Sequence, residues 1–219
     1  NELEMKALQA QMNPHFIFNA LNAIQHYLTI GNDEQAMIYL ARFAKLIRMI
    51  FEFSKKTTIS LTDEIEFLQL YLGLEKLRFK DKIIIDFEID DEIYTDNIKI
   101  PPLLIQPILE NAFKHGLLHR KKGGELDIQF LRIDNAIYCT VQDNGIGRAK
   151  VKTLKSWKNK NHNSSGLATT KERLNLWLSK STISDDLRPF EIIDLEDKDG
   201  VGCGTLVKML LKIEDDYND

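Results

Sequence analysis

Cysteine is scarce in this chain. Cys139 and Cys203 are the only two in 219 residues, both fall in segments that read as strand, and neither has a neighbour with which to make a metal-ligand or redox pair. That usage fits a reducing cytoplasm. No run approaches the ~18 consecutive apolar residues of a membrane span, and no secretory signal pattern opens the chain, so this stretch is expected to be soluble. Positive charge is also not in surplus. Lys+Arg 29 against Asp+Glu 33 gives a net charge of -4, which leaves no general cationic field to hold a nucleic-acid backbone or an anionic membrane, and direct nucleic-acid binding is not expected. With 43% hydrophobic and 28% charged residues, the chain should bury a globular core.

Glycine and proline are nearly missing from residue 1 to about 80, where apolar residues recur at helical spacing and predict three helices. The first runs from Leu3 to Ile30. Gly31-Asn32-Asp33 makes a turn whose Asp33 can cap a second helix carrying Ala36, Ile38, Leu40, Phe43, Leu46, Ile47 and Ile50. A third begins after Thr62 and passes through Ile65, Leu68, Tyr71, Leu72 and Leu74 towards Arg78. The short turn folds the first two into an antiparallel hairpin. After Lys80 the period drops to two and β-branched residues take over. Strands are predicted at Ile83 to Ile89, Leu126 to Ile133, Ala136 to Gln142 and Thr205 to Ile213, with helices from Pro101 to Leu118 and Thr169 to Ser179. The fold class expected is α+β: a helical domain over residues 1–80, then an α/β sandwich over 81–219 with its helices on one face. Lys150 to Ser165, rich in Lys, Asn and Ser, reads as a mobile loop. Because the chain opens on Asn1 inside a helical pattern, it reads as a segment of a longer protein.

Four blocks carry chemistry. Asp143-Asn144-Gly145-Ile146-Gly147 follows directly on a predicted strand, so a buried carboxylate precedes two glycines where the backbone turns tightly; by itself such a run is equally a common turn. Upstream, Pro101-Pro102-Leu103-Leu104-Ile105-Gln106-Pro107-Ile108-Leu109-Glu110-Asn111-Ala112-Phe113-Lys114-His115-Gly116 is an apolar helix with polar residues near its end. Asn111, Lys114 and His115 share a face at i, i+3 and i+4, an Asn oxygen suiting Mg²⁺ and a cation beside it suiting phosphates. Ser164-Ser165-Gly166-Leu167 stands at a helix entrance with free N–H groups for phosphate, and Gly202-Cys203-Gly204-Thr205 precedes the last strand.

In this order the four blocks resemble the nucleotide-binding boxes of the Bergerat fold, shared by histidine kinases, gyrase, Hsp90 and MutL. The resemblance implies ATP and Mg²⁺ as cofactors, with Asn111 as the Mg²⁺ ligand and Lys114 and His115 on the phosphates. Asp143 would accept the adenine amino group, Gly145 and Gly147 would lie beside the base, Ser165, Gly166 and Leu167 would form the lid hinge, and Thr205 would support Asp143. Leu8-Gln9-Ala10-Gln11-Met12-Asn13-Pro14-His15-Phe16-Ile17-Phe18-Asn19-Ala20-Leu21-Asn22 resembles the phosphoacceptor motif of LytS/YehU-type sensor histidine kinases, and Arg48, Leu61 to Tyr71 and Glu75 to Phe79 continue the likeness. It implies a homodimer built on a four-helix bundle, autophosphorylation of His15, a response-regulator partner and a membrane-bound sensor upstream.

His15, Asn19, Asn22 and His26 fall at i, i+4, i+7 and i+11 as a polar stripe, beside an apolar stripe of Ile17, Leu21, Ile24 and Leu28 on which the helix is expected to be buried. Pro14 removes a backbone donor next to the acceptor. Glu110 either polarises the attacking imidazole or supports the metal shell. His115 and His119 at i and i+4 lack a third zinc ligand, and His26 and His162 read as surface residues. The sequence departs from family patterns at four places: Pro107 replaces the catalytic Glu of gyrase-type ATPases, Phe16 replaces an acid after the acceptor, Ser164 replaces the first lid Gly, and Thr169 replaces a common Asn. A nucleotide-binding dimer that signals by conformation, and an ATPase, are the rival readings.

Overall fold

The computed structural model describes residues 14–79, 82–120, 123–148, 165–179 and 188–213. The expected helix before Pro14 and the loop from Lys150 lie outside them, as does Ser164.

Helix α1 (Pro14–Thr29) and helix α2 (Asp33–Phe53) form the predicted hairpin. The cap of α2 is Asn32, not Asp33: its side chain accepts from the Gln35 N–H at 3.2 Å, while Asp33 and Glu34 complement the positive end of the helix from within the first turn. Helix α3 (Leu61–Arg78) starts one residue before Thr62, where Ser60 and Asp63 make a reciprocal capping box. Leu61, Phe67, Leu68 and Leu74 are fully buried, and Thr62, Glu66, Gln69 and Lys76 form the one exposed stripe. Here α1 and α2 pack on one side, and on another the two-residue strand β1 (Ile59–Ser60) pairs antiparallel with β3 (Lys99–Ile100).

The second half is built on a five-stranded sheet formed by β2 (Ile83–Ile89), β4 (Gly124–Ile133), β5 (Ala136–Asp143), β6 (Phe190–Glu196) and β7 (Gly202–Ile213), in the order β2-β4-β5-β7-β6. Only β2 and β4 run parallel; the other pairs are antiparallel. Register places Ile85, Leu126, Asp143 and Thr205 in one row across the sheet, and Phe87, Ile128, Val141 and Val207 in the next. Paired residues share a face, so these rows make the inner surface, while Asp86, Asp127, Gln142 and Leu206 lie on the outer one. One apolar face and one largely polar face is the alternation of a sheet covered on a single side. Strand β6 escapes the sequence pattern because its alternation is broken by Asp194 and by exposed Ile193.

Helix α4 (Gln106–Asn111) covers the inner face and continues as a π-helical turn (Ala112–Gly116) and a 3₁₀ turn (Leu117–His119). The predicted start at Pro101 is not helical. Residues 101–105 form a turn in which Leu103 takes φ 54, a conformation that the two prolines and the buried Glu64 hold in place. Helix α5 (Ser165–Leu178) begins four residues before Thr169 and packs on α4, with Gly166 at the Pro107 ring.

The buried apolar residues form one connected cluster from Phe16 and Tyr39 in the hairpin, through Phe67 and Tyr71 in α3, to Phe113, Phe130 and Val141. The α+β class expected, a helical hairpin followed by a sheet with helices on one face as in the Bergerat type, is the architecture found. Among the described residues no helix is long and apolar enough to cross a membrane.

Candidate functional site

Asp143 is the last residue of β5 and lies on the inner face, 5% exposed. Burial pushes its carboxyl up to about 6 against the pull of one backbone hydrogen bond, the Gly145 N–H donating to Oδ1 at 2.8 Å. Among the described residues that is the only hydrogen bond to this carboxyl, so Oδ2 is left for another donor.

Glycine backbone closes in on it from two sides. A Cβ at Gly116 would come within 2.4 Å of Asp143 Oδ1, and one at Gly145 within 2.3 Å of Gly116 Cα. Neither position tolerates a side chain while the acid stays where it is. Gly147 has φ 77 and would set a Cβ against Gly202 at 3.1 Å, so the Asp143–Gly147 loop lies flat on the start of β7. Thr205 on β7 pairs directly with Asp143 and is likewise buried. Asn144 is pinned from both ends, its Oδ1 accepting the Glu125 N–H at 2.8 Å and its carbonyl accepting from Arg120. A flat, glycine-lined slot with one buried carboxylate oxygen unengaged fits a planar group that offers an N–H, such as an adenine amino edge.

Asn111 ends α4 half-buried, and the π-helical turn begins at the next residue. The inserted residue exposes Lys114 and leaves His115 half-buried, so the face that the sequence assigned to Asn111, Lys114 and His115 is opened rather than regular; π-turns recur at functional positions for that reason. Glu110 accepts from Gln106 Nε2 at 3.0 Å, which ties it to its own helix. Gly166 is exposed and Leu167 buried at the entrance of α5, so the first turn of α5 is anchored by an apolar residue beside α4. Asn111, Lys114 and the α5 entrance supply an oxygen ligand, a cation and free N–H groups, a donor set that fits Mg²⁺ and phosphate.

Helix α1 differs from expectation in the face it buries. The covered residues are Phe16, Ala20, Ala23, Ile24 and Tyr27, whereas Leu21 and Leu28 are 51% and 54% exposed. Aromatic rings set the orientation: Phe16 lies 5.3 Å from Tyr71 and 6.1 Å from Phe43, and Tyr71 meets Phe113 edge-on at 6.2 Å. Phe16 thus ties the helix turn holding His15 to the π-turn after Asn111. Asn19, Asn22 and His26 line a cleft of about 320 Å³ with Leu77 and Arg78, and a smaller cleft beside it is lined by Phe16, Asn19, Tyr71, Glu75, Arg78, Glu110, Phe113 and Lys114 among others. His15 belongs to α1, one turn before Asn19.

Sequence reasoning missed Gly116, which reads as an ordinary helix C-terminus, and Arg120. It also missed Glu64, whose two oxygens accept the N–H groups of Leu103 (2.8 Å) and Ile105 (3.0 Å), and Arg173, which donates to the carbonyls of Pro102 (2.6 Å) and Leu103 (3.4 Å).

Residues 3–83 match the family model described as histidine kinase. The sequence is 35% identical over 174 residues, 80% of this chain, to the sensor protein LytS of Staphylococcus saprophyticus, and 35% identical over 178 residues to the sensor histidine kinase/phosphatase LytS of Staphylococcus aureus. The chain belongs to the histidine kinase family. It spans 29% and 30% of the length of those two relatives. Among solved structures, the histidine kinase domain of the blue-light activated kinase of Erythrobacter litoralis aligns over 97% of this chain and 95% of its own, at 14% identity and TM-score 0.48. The described part of the motif around His15, Pro14 to Asn22, lies in α1, and the described residues of the four sequence blocks fall at the ends of α4, β5, α5 and β7.

Proposed function

We propose that this region binds Mg-ATP at Asp143, transfers the γ-phosphoryl group to His15, and passes it to an aspartate of a response regulator. The observation that carries the reading is the buried, half-satisfied Asp143 carboxyl in its glycine slot, set on the same core as the helix that bears His15. Asp143 would hold the adenine amino edge, with Gly145 and Gly147 against the ring and Thr205 supporting the acid. Asn111 would ligate Mg²⁺, whose charge offsets that of the phosphates. Lys114 and His115 would contact the phosphates, and Ser165, Gly166 and Leu167 would hinge the lid over them. Phosphoryl transfer needs mainly positioning and charge neutralisation, which this set supplies. Incubation with γ-labelled ATP is expected to give an acid-labile, base-stable label that His15→Ala abolishes; label persisting in that variant would sink the assignment. Nucleotide binding with no label in the wild type would favour the conformational, non-catalytic reading.

The partner arrangement follows from what α1 and α2 leave uncovered. Leu21 and Leu28 on α1, and Met37, Leu40 and Phe51 on α2, are all more than two-fifths exposed. Along α2 they fall at i, i+3 and i+14, with Ala44 and Ile47 between, a stripe at helical spacing. A second copy presenting the same stripes would cover them as a four-helix bundle. Leu21→Glu is therefore expected to convert a dimer to a monomer by sedimentation analysis without loss of helix; an unchanged dimer would remove this face from the interface. The domain division near residue 80, and attachment to a membrane through an upstream sensor, complete the reading.

A further inference from the structure

The proton of the phosphoacceptor has no obvious destination in the motif itself. In its neutral form an imidazole attacks through one nitrogen and carries a proton on the other. As the N–P bond forms and the bond from the γ-phosphorus to the bridging oxygen breaks, ADP leaves with the electron pair and the imidazole becomes cationic until that N–H proton is removed. The residue after His15 is Phe16, and its ring is 7% exposed, packed between Phe43 and Tyr71. That position is committed to the core, so a carboxylate has to come from another helix.

Helix α3 supplies one. Tyr71 touches Phe16, and Glu75 is one turn further along the same face of α3. Its side chain is 3% exposed and lines the cleft into which Phe16 and Asn19 of α1, Glu110 of α4 and Lys114 of the π-turn also open. Asn19 is one helical turn from position 15 on α1, so this cleft opens one turn along the helix from the acceptor position. Arg78, one turn on from Glu75, forms an ion pair with it and lies over the Phe79 ring, 4.6 Å from its centroid. The hydroxyl of Tyr27 donates to the carbonyl of Leu77 at 3.2 Å, joining α1 to this end of α3. The carboxylate is thus desolvated, fixed by a guanidinium and aimed at a cleft between the acceptor helix and the nucleotide box.

We propose that Glu75 accepts the imidazole proton of His15 during phosphoryl transfer, with Arg78 holding it in position. This rests on the reading of His15 as the acceptor. Burial raises the Glu75 carboxyl to about 7, opposed by Arg78 and reinforced by Glu110, which brings it into the range where a base is effective near neutrality. The groups facing it are Arg78 and Tyr71 on its own helix, Tyr39 on α2, Asn19 on α1, Glu110 on α4 and Lys114 on the π-turn after it. Glu110 is the other carboxylate at the cleft, but Gln106 already engages it.

The test is the initial rate of labelling from γ-labelled ATP between pH 5.5 and 9, on the dimeric protein. The wild-type rate is expected to climb with a logarithmic slope of about two on the acid side, because imidazole and carboxylate must both lose a proton, and to level off above about pH 7. Glu75→Gln should lower the plateau about 100-fold and reduce the slope to about one, while its affinity for ADP stays at the wild-type value. Glu75→Asp should recover part of the rate and restore the steeper slope. A Glu75→Gln protein with the wild-type rate and profile would overturn the proposal. So would one that loses label only in proportion to lost ADP affinity, or a profile that flattens in Glu110→Gln instead. A wild-type protein that never labels would sink the autokinase reading itself, an outcome distinct from any of these.

Discussion

Replacing Glu64 with alanine is expected to destabilise the fold by about 3–5 kcal/mol, the scale seen when one partner of a buried polar pair is removed. Glu64 is fully buried on α3, and its two oxygens bind the Leu103 and Ile105 N–H groups. Truncation would strand both donors away from water. It would also remove the charge facing Arg173, whose guanidinium is partly desolvated and donates to the Pro102 and Leu103 carbonyls. Those bonds hold the strained turn that aims α4. The loss should therefore appear twice: as a lower midpoint in chemical denaturation, and as weaker nucleotide binding at temperatures where the variant is still folded. Glu64→Gln retains one acceptor but turns an NH₂ group towards the other backbone N–H, so it should recover only part of the stability. A Glu64→Ala protein with the wild-type midpoint would show that the 101–105 turn stands without the clamp.

The same residue carries a pH signature with a definite sign. Burial raises the Glu64 carboxyl to about 7, the backbone hydrogen bonds opposing the shift. A carboxyl whose folded value lies above its unfolded one binds its proton more tightly in the native state, so its contribution is complete below the unfolded value near 4.5 and is lost as pH rises through about 7. Glu75 behaves alike, and Asp143 does so with its upper limit near 6. A denaturation midpoint that declines between about pH 5 and 7 is the combined expectation.

How much of this was legible in the sequence depends on whether the signal was local. The hairpin, α3 and four of the strands follow from periods of 3.6 and two, and Asp143, Gly145 and Gly147 stand out because an acid and two glycines at a strand end are a local pattern. The buried face of α1 was misread for a physical reason. Ile17, Leu21, Ile24 and Leu28 are the more apolar stripe, yet of these Leu21 and Leu28 stay exposed, and Ile24 packs on the core beside Phe16, Ala20, Ala23 and Tyr27. Small alanines let α1 approach α3 closely while Leu21 and Leu28 are left for another surface; composition cannot say which of two apolar faces meets the chain itself. Glu64 and Gly116 were invisible because their meaning lies in residues 39 and 27 positions away, at Leu103 and Asp143. The early start of α4 failed because Pro101, Pro102 and Leu103 are apolar enough to imitate a helix, while the backbone is bent by contacts with α3 and α5.

Asp143→Asn is expected to weaken ATP and ADP binding by about 10–100-fold, the equivalent of losing one charge-assisted hydrogen bond. The substitution is nearly isosteric, which matters in a slot where Gly116 and Gly145 leave no spare volume. If the amide oxygen keeps the Gly145 N–H, its NH₂ group occupies the Oδ2 position and points a donor at the donor edge of adenine. If it flips, the clash moves to the Gly145 N–H. Either way one N–H loses its acceptor inside a dry site, and binding should fall most for nucleotides that carry the 6-amino group. The discriminating measurement is therefore affinity for ADP against IDP, whose ring presents a carbonyl at that place. In the wild type ADP should bind tighter; in Asp143→Asn the preference should shrink or reverse, because the new NH₂ can donate to that carbonyl. Equal losses for both nucleotides would mean that Asp143 shapes the loop without reading the base. The Asp143 carboxyl, raised to about 6, adds a check independent of mutation: as an acceptor it must be ionised, so wild-type ADP affinity should drop as pH falls below about 6, while IDP affinity should change less.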